Sequence, residues 1–426
     1  MSRSARRAVQ REATERRPDD LGWLAGLLWD DGGPVRARLP GDPDDSGRLE
    51  ERYAVVPRAD RPRFLVPLSS PSAAAASVRR YNRMRRPSTQ VAREALALGL
   101  RTGVAPVVFR DRLEIRSRPG VSESAGPESV VGLLREVFRR DDVVAAIGVG
   151  QPGPNRKPTM QIFTPHGEPL GYVKVGWSEF TKRIVRNEAD MLERWGANLP
   201  ATFRVPRLLY RGAFRDLELS VTAPLPGSAR RPRPYDRRPP VGATREVAAL
   251  GGVTSAPLAE GPILPTLRAR IDRTAFVPDL PYRDLVTETL DRLESHAGTT
   301  TLPFGTWHGD WVPWNMAWVG DTLHVFDWEH GRSGVPVGFD VVDFGFRVGQ
   351  NLRSEDVATA IAQAESAAAG ALVQLGVSSG DVRLVGNLYL AELATRALEA
   401  DADGSGVSPL LYPDVFDVLS RRVTRE

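Results

Sequence analysis

The chain has no cysteine among its 426 residues. Disulfides, thiolate catalysis and cysteine-based zinc sites are therefore excluded. It has no run of about eighteen apolar residues, so no membrane span is expected. The N-terminal stretch MSRSARRAVQREATERR is rich in arginine but lacks an apolar core, and it does not read as a secretory signal. Charge of one sign is hardly in surplus: 57 Lys and Arg against 53 Asp and Glu leave a formal net charge of +4. That balance does not by itself indicate nucleic acid. No recognition motif and no interleaving of aromatic with basic residues supports such a partner. The composition, 41% hydrophobic and 26% charged, suits a globular protein. These features lead to the expectation of a cytoplasmic chain of about two to three domains, with no nucleic-acid or membrane partner.

The most informative stretch runs from His308 to Glu329 and reads HGDWVPWNMAWVGDTLHVFDWE. Asp310 lies five residues before Asn315, and Asp327 follows Asn315 by twelve. Met316 to Val319 and Leu323 to Phe326 read as two short strands. Gly320 and Asp321 between them mark a tight turn, because glycine supplies the positive φ such turns need. A hairpin here carries Asp327 back beside Asn315. Asp and Asn oxygens are hard ligands suited to Mg²⁺, which takes one or two carboxylates and completes its shell with phosphates and water. Asp310, ahead of these ligands, is positioned to accept a proton from an attacking hydroxyl.

This pattern, H-G-D-x4-N followed by D-W-E, resembles the aminoglycoside phosphotransferase-like family of the protein kinase-like superfamily. The resemblance implies that Asp310 is the catalytic base. It also implies that Asn315 and Asp327 hold Mg²⁺ and that His308 steadies the loop. Asp343-Phe344-Gly345 spells the metal motif of protein kinases but falls twenty-eight residues after Asn315. That motif's Asp normally follows the Asn by about a dozen. Its flanks look like the start of a helix, so Asp343 reads as structural or as helix N-terminal polarity. Asp340 corresponds better to a second structural Asp of the family.

Earlier in the chain, residues 1–20 read as a disordered head and 31–48, rich in Gly, Pro and Asp, as loop. Arg52 to Val56 and Arg63 to Leu68 suggest a hairpin. Two helices follow, from Ser70-Pro71 to about Met84 and from Pro87 to near Gly99. Val107 to Arg116 reads as a strand and Glu128 to Arg140 as a helix. This front region resembles the extra N-terminal subdomain of maltokinase-type sugar kinases. Val143 to Val149 then opens a nucleotide-binding sheet. It runs into a Gly-rich turn containing Gly148, Gly150 and Gly153, whose backbone can approach phosphates closely. Met160 to Phe163 and Leu170 to Val175 follow as strands. Lys174 sits on the third strand, where kinases keep a lysine for the α/β-phosphates. The next helix, about Ser178 to Trp195, has Phe180, Ile184, Leu192 and Trp195 on its apolar stripe, with Glu188 among them. An inward carboxylate needs a cation, and Lys174 is the natural partner. Val205 to Tyr210 and Leu217 to Val221 add two strands, and Thr222 to Gly227 then breaks the pattern; the resemblance implies that this is the hinge between lobes. Residues 228–240, with five Arg and four Pro, read either as an exposed linker or as an anion-binding rim. Residues 241–263 carry little signal. Helical patterns return at Tyr282 to Ala297, Ser354 to Leu375, Val382 to Glu399 and Val415 to Val423.

The expected fold class is α+β: a bilobal kinase-like fold with an antiparallel-sheet N-lobe, a mostly helical C-lobe and a small N-terminal α/β subdomain. The expected division is 1–20 head, 21–120 cap subdomain, 121–225 nucleotide-binding lobe and 226–426 helical lobe. The resemblance implies an ATP- and Mg²⁺-dependent kinase that moves a phosphate to a small-molecule hydroxyl. A cationic aminoglycoside would need an acidic pocket, and only Glu392, Glu399, Asp401 and Asp403 offer a negative cluster. A sugar, amino sugar or related metabolite is therefore preferred over an antibiotic as acceptor. A non-catalytic kinase-like nucleotide-binding protein is the alternative of another class.

Overall fold

The computed structural model describes residues 20–29, 35–42, 46–80, 87–102, 109, 111–118, 129–150, 156–197, 199–200, 202–230, 232, 239–404 and 414–424. The expected head, apart from Asp20, lies outside these residues, as do Gly153 and much of the Arg- and Pro-rich segment. The first half of the chain gives α1 (Asp20–Leu28), β1 (Val35–Arg38), β2 (Leu49–Arg58), β3 (Arg61–Pro67), α2 (Pro71–Arg80), α3 (Pro87–Arg101), β4 (Arg112–Ser117), α4 (Val130–Phe138), β5 (Val144–Gly148), β6 (Thr159–Phe163), β7 (Pro169–Gly176), α5 (Glu179–Gly196), β8 (Phe203–Arg204), β9 (Leu208–Phe214) and β10 (Leu217–Thr222). The second half gives α6 (Val241–Ala249), β11 (Thr254–Pro257), α7 (Ile263–Asp272), α8 (Arg283–Ala297), β12 (Thr301–Trp307), β13 (Met316–Val319), β14 (Thr322–Val325), β15 (Arg332–Pro336), α9 (Phe339–Arg353), α10 (Val357–Gln374), α11 (Val382–Ala402) and α12 (Asp414–Thr424). The class is α+β, as expected.

Two compact units divide these elements. The first comprises Met1–Pro152, Arg156–Trp177 and Leu209–Pro224. It contains one nine-stranded sheet of order β1-β4-β2-β3-β5-β6-β7-β10-β9. The front strands join the later ones where Phe64 pairs with Gly148 and Leu65 with Ile147. The period-two alternation of strand side chains explains the packing. Tyr53, Val55, Leu65, Ala145, Ile147, Met160, Ile162, Val173 and Val175 line one face, with Leu21, Leu24 and Leu28 of α1 and Val130, Val131 and Leu134 of α4. Ala54, Phe64, Val66, Val144, Ala146 and Phe163 line the other, covered by the alanines of α2 and by Ala97 and Leu100 of α3. A sheet covered on both faces buries nearly continuous apolar runs, which is how β5 reads.

The expectation of loop over 31–48 needs correction. Val35–Arg38 is an edge strand, antiparallel to β4 from Val35↔Ser117 to Arg38↔Glu114. Its sequence, VRAR, alternates for only four residues and buries only Val35, so the pattern is too short to mark a strand and backbone pairing defines it.

The second unit comprises Gly153–Asn155, Ser178–Leu208 and Leu225–Glu426. Its main core joins α7 to α12 with β12 and β15, around Leu264, Leu267, Leu290, Phe339, Leu388, Tyr389 and Phe416. Two small sheets sit in it, ordered β11-β12-β15 and β13-β14-β8. Within the weakly patterned span 241–263, α6 and β11 form and α7 begins.

Candidate active site

The hairpin at the centre of the sequence forms as its turn chemistry requires. Gly320 has φ +61°, and β13 pairs with β14 from Met316↔Val325 to Val319↔Thr322. The Phe326 N–H donates to Asn315 O at 3.0 Å. Asp327, next in the chain, is thus carried back beside Asn315; it is half-buried, with φ +76°. Trp318 at the far edge exchanges backbone hydrogen bonds of 2.7 and 2.8 Å with Arg230, so the start of the Arg- and Pro-rich segment borders this hairpin.

The loop before it is bound from several sides. Asn315 is buried and its Nδ2 donates to Asp310 Oδ2 at 2.7 Å and to Asp310 O at 3.2 Å. His308 is fully buried. Its Nδ1 accepts the Asp310 N–H at 3.2 Å, so the ring proton sits on Nε2, which donates to Phe326 O at 3.2 Å. His308 therefore joins the start of the loop to the residue before Asp327. Gly309 has φ +84°, and a Cβ there would stand 2.5 Å from His330 O. Only glycine meets both conditions.

Two carboxylates on the first turns of α9 hold the loop backbone. Asp340 accepts the N–H of His308 at 2.9 Å and of Gly309 at 3.1 Å. Asp343 accepts the Trp311 N–H at 2.8 Å, the Tyr389 hydroxyl at 2.6 Å and Arg347 Nε at 3.3 Å. Asp343 is fully buried, and its oxygens are committed to the protein. Burial pushes the Asp310 carboxyl up to about 6; Arg347 and the Asn315 amide pull it down, while Asp343 and Glu329 push it further up. These neighbours put Asp310 among charges of both signs, a pattern typical of reactive carboxylates.

The donor set fits magnesium. The amide nitrogen of Asn315 is spent on Asp310, which leaves its oxygen as the free coordinating end. Asn315 and Asp327 could supply one amide and one carboxylate oxygen, the sparse set that Mg²⁺ accepts when phosphates complete its shell.

The remaining predicted residues are distributed over both units. In the first, Lys174 lies on β7 in register with Thr159 on one side and Ser220 on the other. Gly148 ends β5 opposite Thr159. Gly150 has φ +80°, and a Cβ there would come 2.9 Å from Lys157 O, so the two stems of the Gly-rich turn touch. In the second, α5 starts with a capping box between Ser178 and Thr181 and buries Phe180, Ile184, Glu188 and Leu192. Glu188 thus faces inward, as the helix periodicity predicts. Its neighbour Asn187 donates to Glu329 O at 3.0 Å and Gly331 O at 2.9 Å, tying α5 to the segment after Asp327.

The negative cluster expected at the end of α11 needs correction. Glu392 and Glu399 are buried and engaged by arginines. Glu392 bonds Arg270, Arg332 and Arg396. Glu399 meets Arg270, Arg273 and Arg183. Asp403 accepts the Phe180 N–H at 3.0 Å and so serves the start of α5. The acids are visible in the sequence but their partners are not, since Arg270 and Arg273 lie 122 to 129 residues away.

Comparison with known proteins agrees with this arrangement. The pattern described as "Phosphotransferase enzyme family" matches residues 180–372, a span that includes nearly all of α5, the loop from His308 to Asn315, the hairpin and α9. Within residues 180–372 the chain is similar to that phosphotransferase family. The matched span covers His308, Asp310, Asn315 and Asp327 and agrees with the expectation of a phosphotransferase. Among curated proteins none matches the chain. Solved structures give only distant likenesses. An aminoglycoside phosphotransferase APH(4)-Ia, in a ternary complex with ADP and hygromycin B, is 16% identical, with 69% of this chain and 98% of that chain covered and a TM-score of 0.42. Choline kinase LicA from Streptococcus pneumoniae is 12% identical, with coverage of 63% and 90% and a TM-score of 0.42. A glucosamine kinase is 16% identical, with coverage of 72% and 86% and a TM-score of 0.29. Scores this low assign neither substrate nor partner to this chain.

Proposed function

We propose that this phosphotransferase is an ATP-dependent kinase that moves the γ-phosphate to a hydroxyl of a sugar, amino sugar or related small metabolite. The observation that carries the reading is the Asp310–Asn315 pair, with the Asn315 amide turned by its 2.7 Å bond to Asp310. One bond does two things: it holds the base carboxylate in place, and it leaves the amide oxygen for a cation. Asp310 takes the proton from the attacking hydroxyl through the oxygen not bound to Asn315. Asn315 and Asp327 would hold Mg²⁺, which when bound offsets the charge of the β- and γ-phosphates. Lys174 is our candidate for a further cation toward the phosphates. The turn that begins at Gly148 and Gly150 is our candidate for close backbone approach to the phosphates. Such transfer depends mainly on orientation and charge neutralisation.

The acceptor preference rests on electrostatics. Glu392 and Glu399 are buried against arginines and Asp403 accepts the Phe180 N–H, so three of the four acids of that cluster do not offer a cationic antibiotic an open acidic surface. The test is a phosphate-transfer screen with ATP and magnesium over sugars, amino sugars, aminoglycosides and choline-like alcohols, with Asp310→Asn as control. Transfer to a sugar or amino sugar that disappears in the variant is the expected result. Transfer to aminoglycosides alone would overturn the acceptor assignment. Absence of both transfer and nucleotide binding would overturn the kinase reading.

A further inference from the structure

Helix α11 presents Glu392, Arg396 and Glu399 at spacings of four and seven, hence along one face. Glu392 is 1% exposed. It accepts Arg270 Nη1 at 2.7 and 2.8 Å and Arg396 Nε at 2.7 Å, and it also bonds Arg332. Its two oxygens thus answer three guanidinium groups. Arg396 stacks its Cζ 4.7 Å from the centre of the Trp307 ring and donates Nη1 to Gly309 O at 2.9 Å. Gly309 is the residue before Asp310. On the other side, Arg270 passes from Glu392 to Glu399, with bonds of 3.1 and 2.6 Å to the latter. Arg183 of α5 lies 3.6 Å from Glu399, five residues before Glu188. The same end of α11 supplies Asp403 to the Phe180 N–H, and Ala400 packs on Phe180 and Ile184.

These contacts make α11 a strut with one grip on the catalytic loop and another on the start of α5. Glu392 is the point where the two meet. Without its charge, Arg270, Arg332 and Arg396 would face one another in a buried cluster, and mutual repulsion would push Arg396 off its carbonyl. Burial and the nearby Arg270 and Arg396 already lower the Arg332 guanidinium to about 10, against the pull of Glu392 and Glu399.

We propose that Glu392 is a positioning residue for the transfer: it seats Arg396 on the Gly309 carbonyl beside Asp310 and, through Arg270 and Glu399, fixes the start of the helix that carries Glu188. This rests on the kinase reading above. A displacement of the base by about 1 Å is enough to cost about a hundredfold in rate, so the effect belongs to turnover.

The test compares Glu392→Gln, Arg396→Gln and Glu399→Gln in the full chain by hydrogen exchange with peptide resolution. Calorimetric MgADP binding and magnesium-dependent ATP turnover are measured alongside. Glu392→Gln is expected to speed exchange about tenfold in both 305–316 and 179–190. Arg396→Gln should do so only in 305–316, and Glu399→Gln only in 179–190. Arg396→Gln should keep MgADP affinity within about twofold while turnover falls about a hundredfold. Equal acceleration in 283–297, which α11 does not hold through Glu392, would mean general loosening and overturn the proposal. So would an unchanged 305–316 segment in Glu392→Gln, or a loss of MgADP affinity in Arg396→Gln that matches the loss of turnover. If the wild-type chain neither binds MgADP nor turns over ATP, the kinase reading fails instead, and the exchange pattern still decides whether Glu392 holds both segments.

Discussion

Three aspartates near one loop have different duties, and their surroundings separate them. Asp310 has one oxygen bound to Asn315 and is half-buried, so its other oxygen can meet a hydroxyl. Asp343 is fully buried and its oxygens bond Trp311, Tyr389 and Arg347. Asp327 follows Phe326, whose N–H closes on Asn315. Asp310→Asn should keep MgADP affinity and lose turnover by about three to four orders of magnitude. Asp327→Ala should lose the magnesium dependence of nucleotide binding, read by calorimetry with and without the ion. Asp343→Ala removes a buried charge that three groups share. It should destabilise the fold by about 3–5 kcal/mol, measured by urea unfolding. Full activity in Asp327→Ala together with a stable but inactive Asp343→Ala would mean that the metal-binding aspartate is Asp343.

At the scale of elements, α9 and α11 act on the loop through charges rather than apolar contact. Asp340 and Asp343 at the start of α9 take three backbone N–H groups, and Arg396 of α11 takes a carbonyl. Burial alone would raise the Glu392 carboxyl, but Arg270, Arg332 and Arg396 overcome that and hold it well below its ordinary 4.5. A depressed folded-state pKa means that the unfolded chain takes up the proton first. The stabilisation from Glu392 is therefore complete above about pH 4.5 and is lost as the pH falls below it. Unfolding free energies from pH 7 down to pH 3 should show this loss in the wild type. Glu392→Gln should be less stable at neutral pH and should show a shallower decline on the acid side. An identical acid slope in the two proteins would remove Glu392 from this role.

For the whole molecule, the notable feature is the continuity of the nine-stranded sheet. β3 pairs with β5 at Phe64↔Gly148 and Leu65↔Ile147, and both faces of β5 are apolar and covered. Deleting residues 1–115 would strip the β3 edge and the helices α1 to α3 from that strand. An exposed apolar edge is a template for pairing between chains. The fragment 116–426 is accordingly expected to aggregate, or to melt well below the full chain, with reduced nucleotide binding. Thermal unfolding and light scattering of the fragment check this. A soluble fragment as heat-stable and as active as the full chain would make the front region an independent appendage.

What the sequence determined by itself was local. Glycine at position 320 and the flanking apolar residues specify the hairpin, because a two-residue turn fixes strand register within a few residues. Helical periodicity turns Glu188 inward, because 3.6 residues per turn settle which side chains share a face. The tertiary structure decided what depends on partners distant in the chain. β1 exists because β4 pairs with it, not because VRAR favours a strand. Asp340 and Asp343 hold the loop because α9 packs beside it, some thirty residues later in the chain. Glu392 and Glu399 of α11 bond Arg270, 122 and 129 residues away, so what reads there in sequence as negative surface is a buried hub. Charge in a sequence has a sign but no address, and only the folded chain shows which opposite charge desolvates with it.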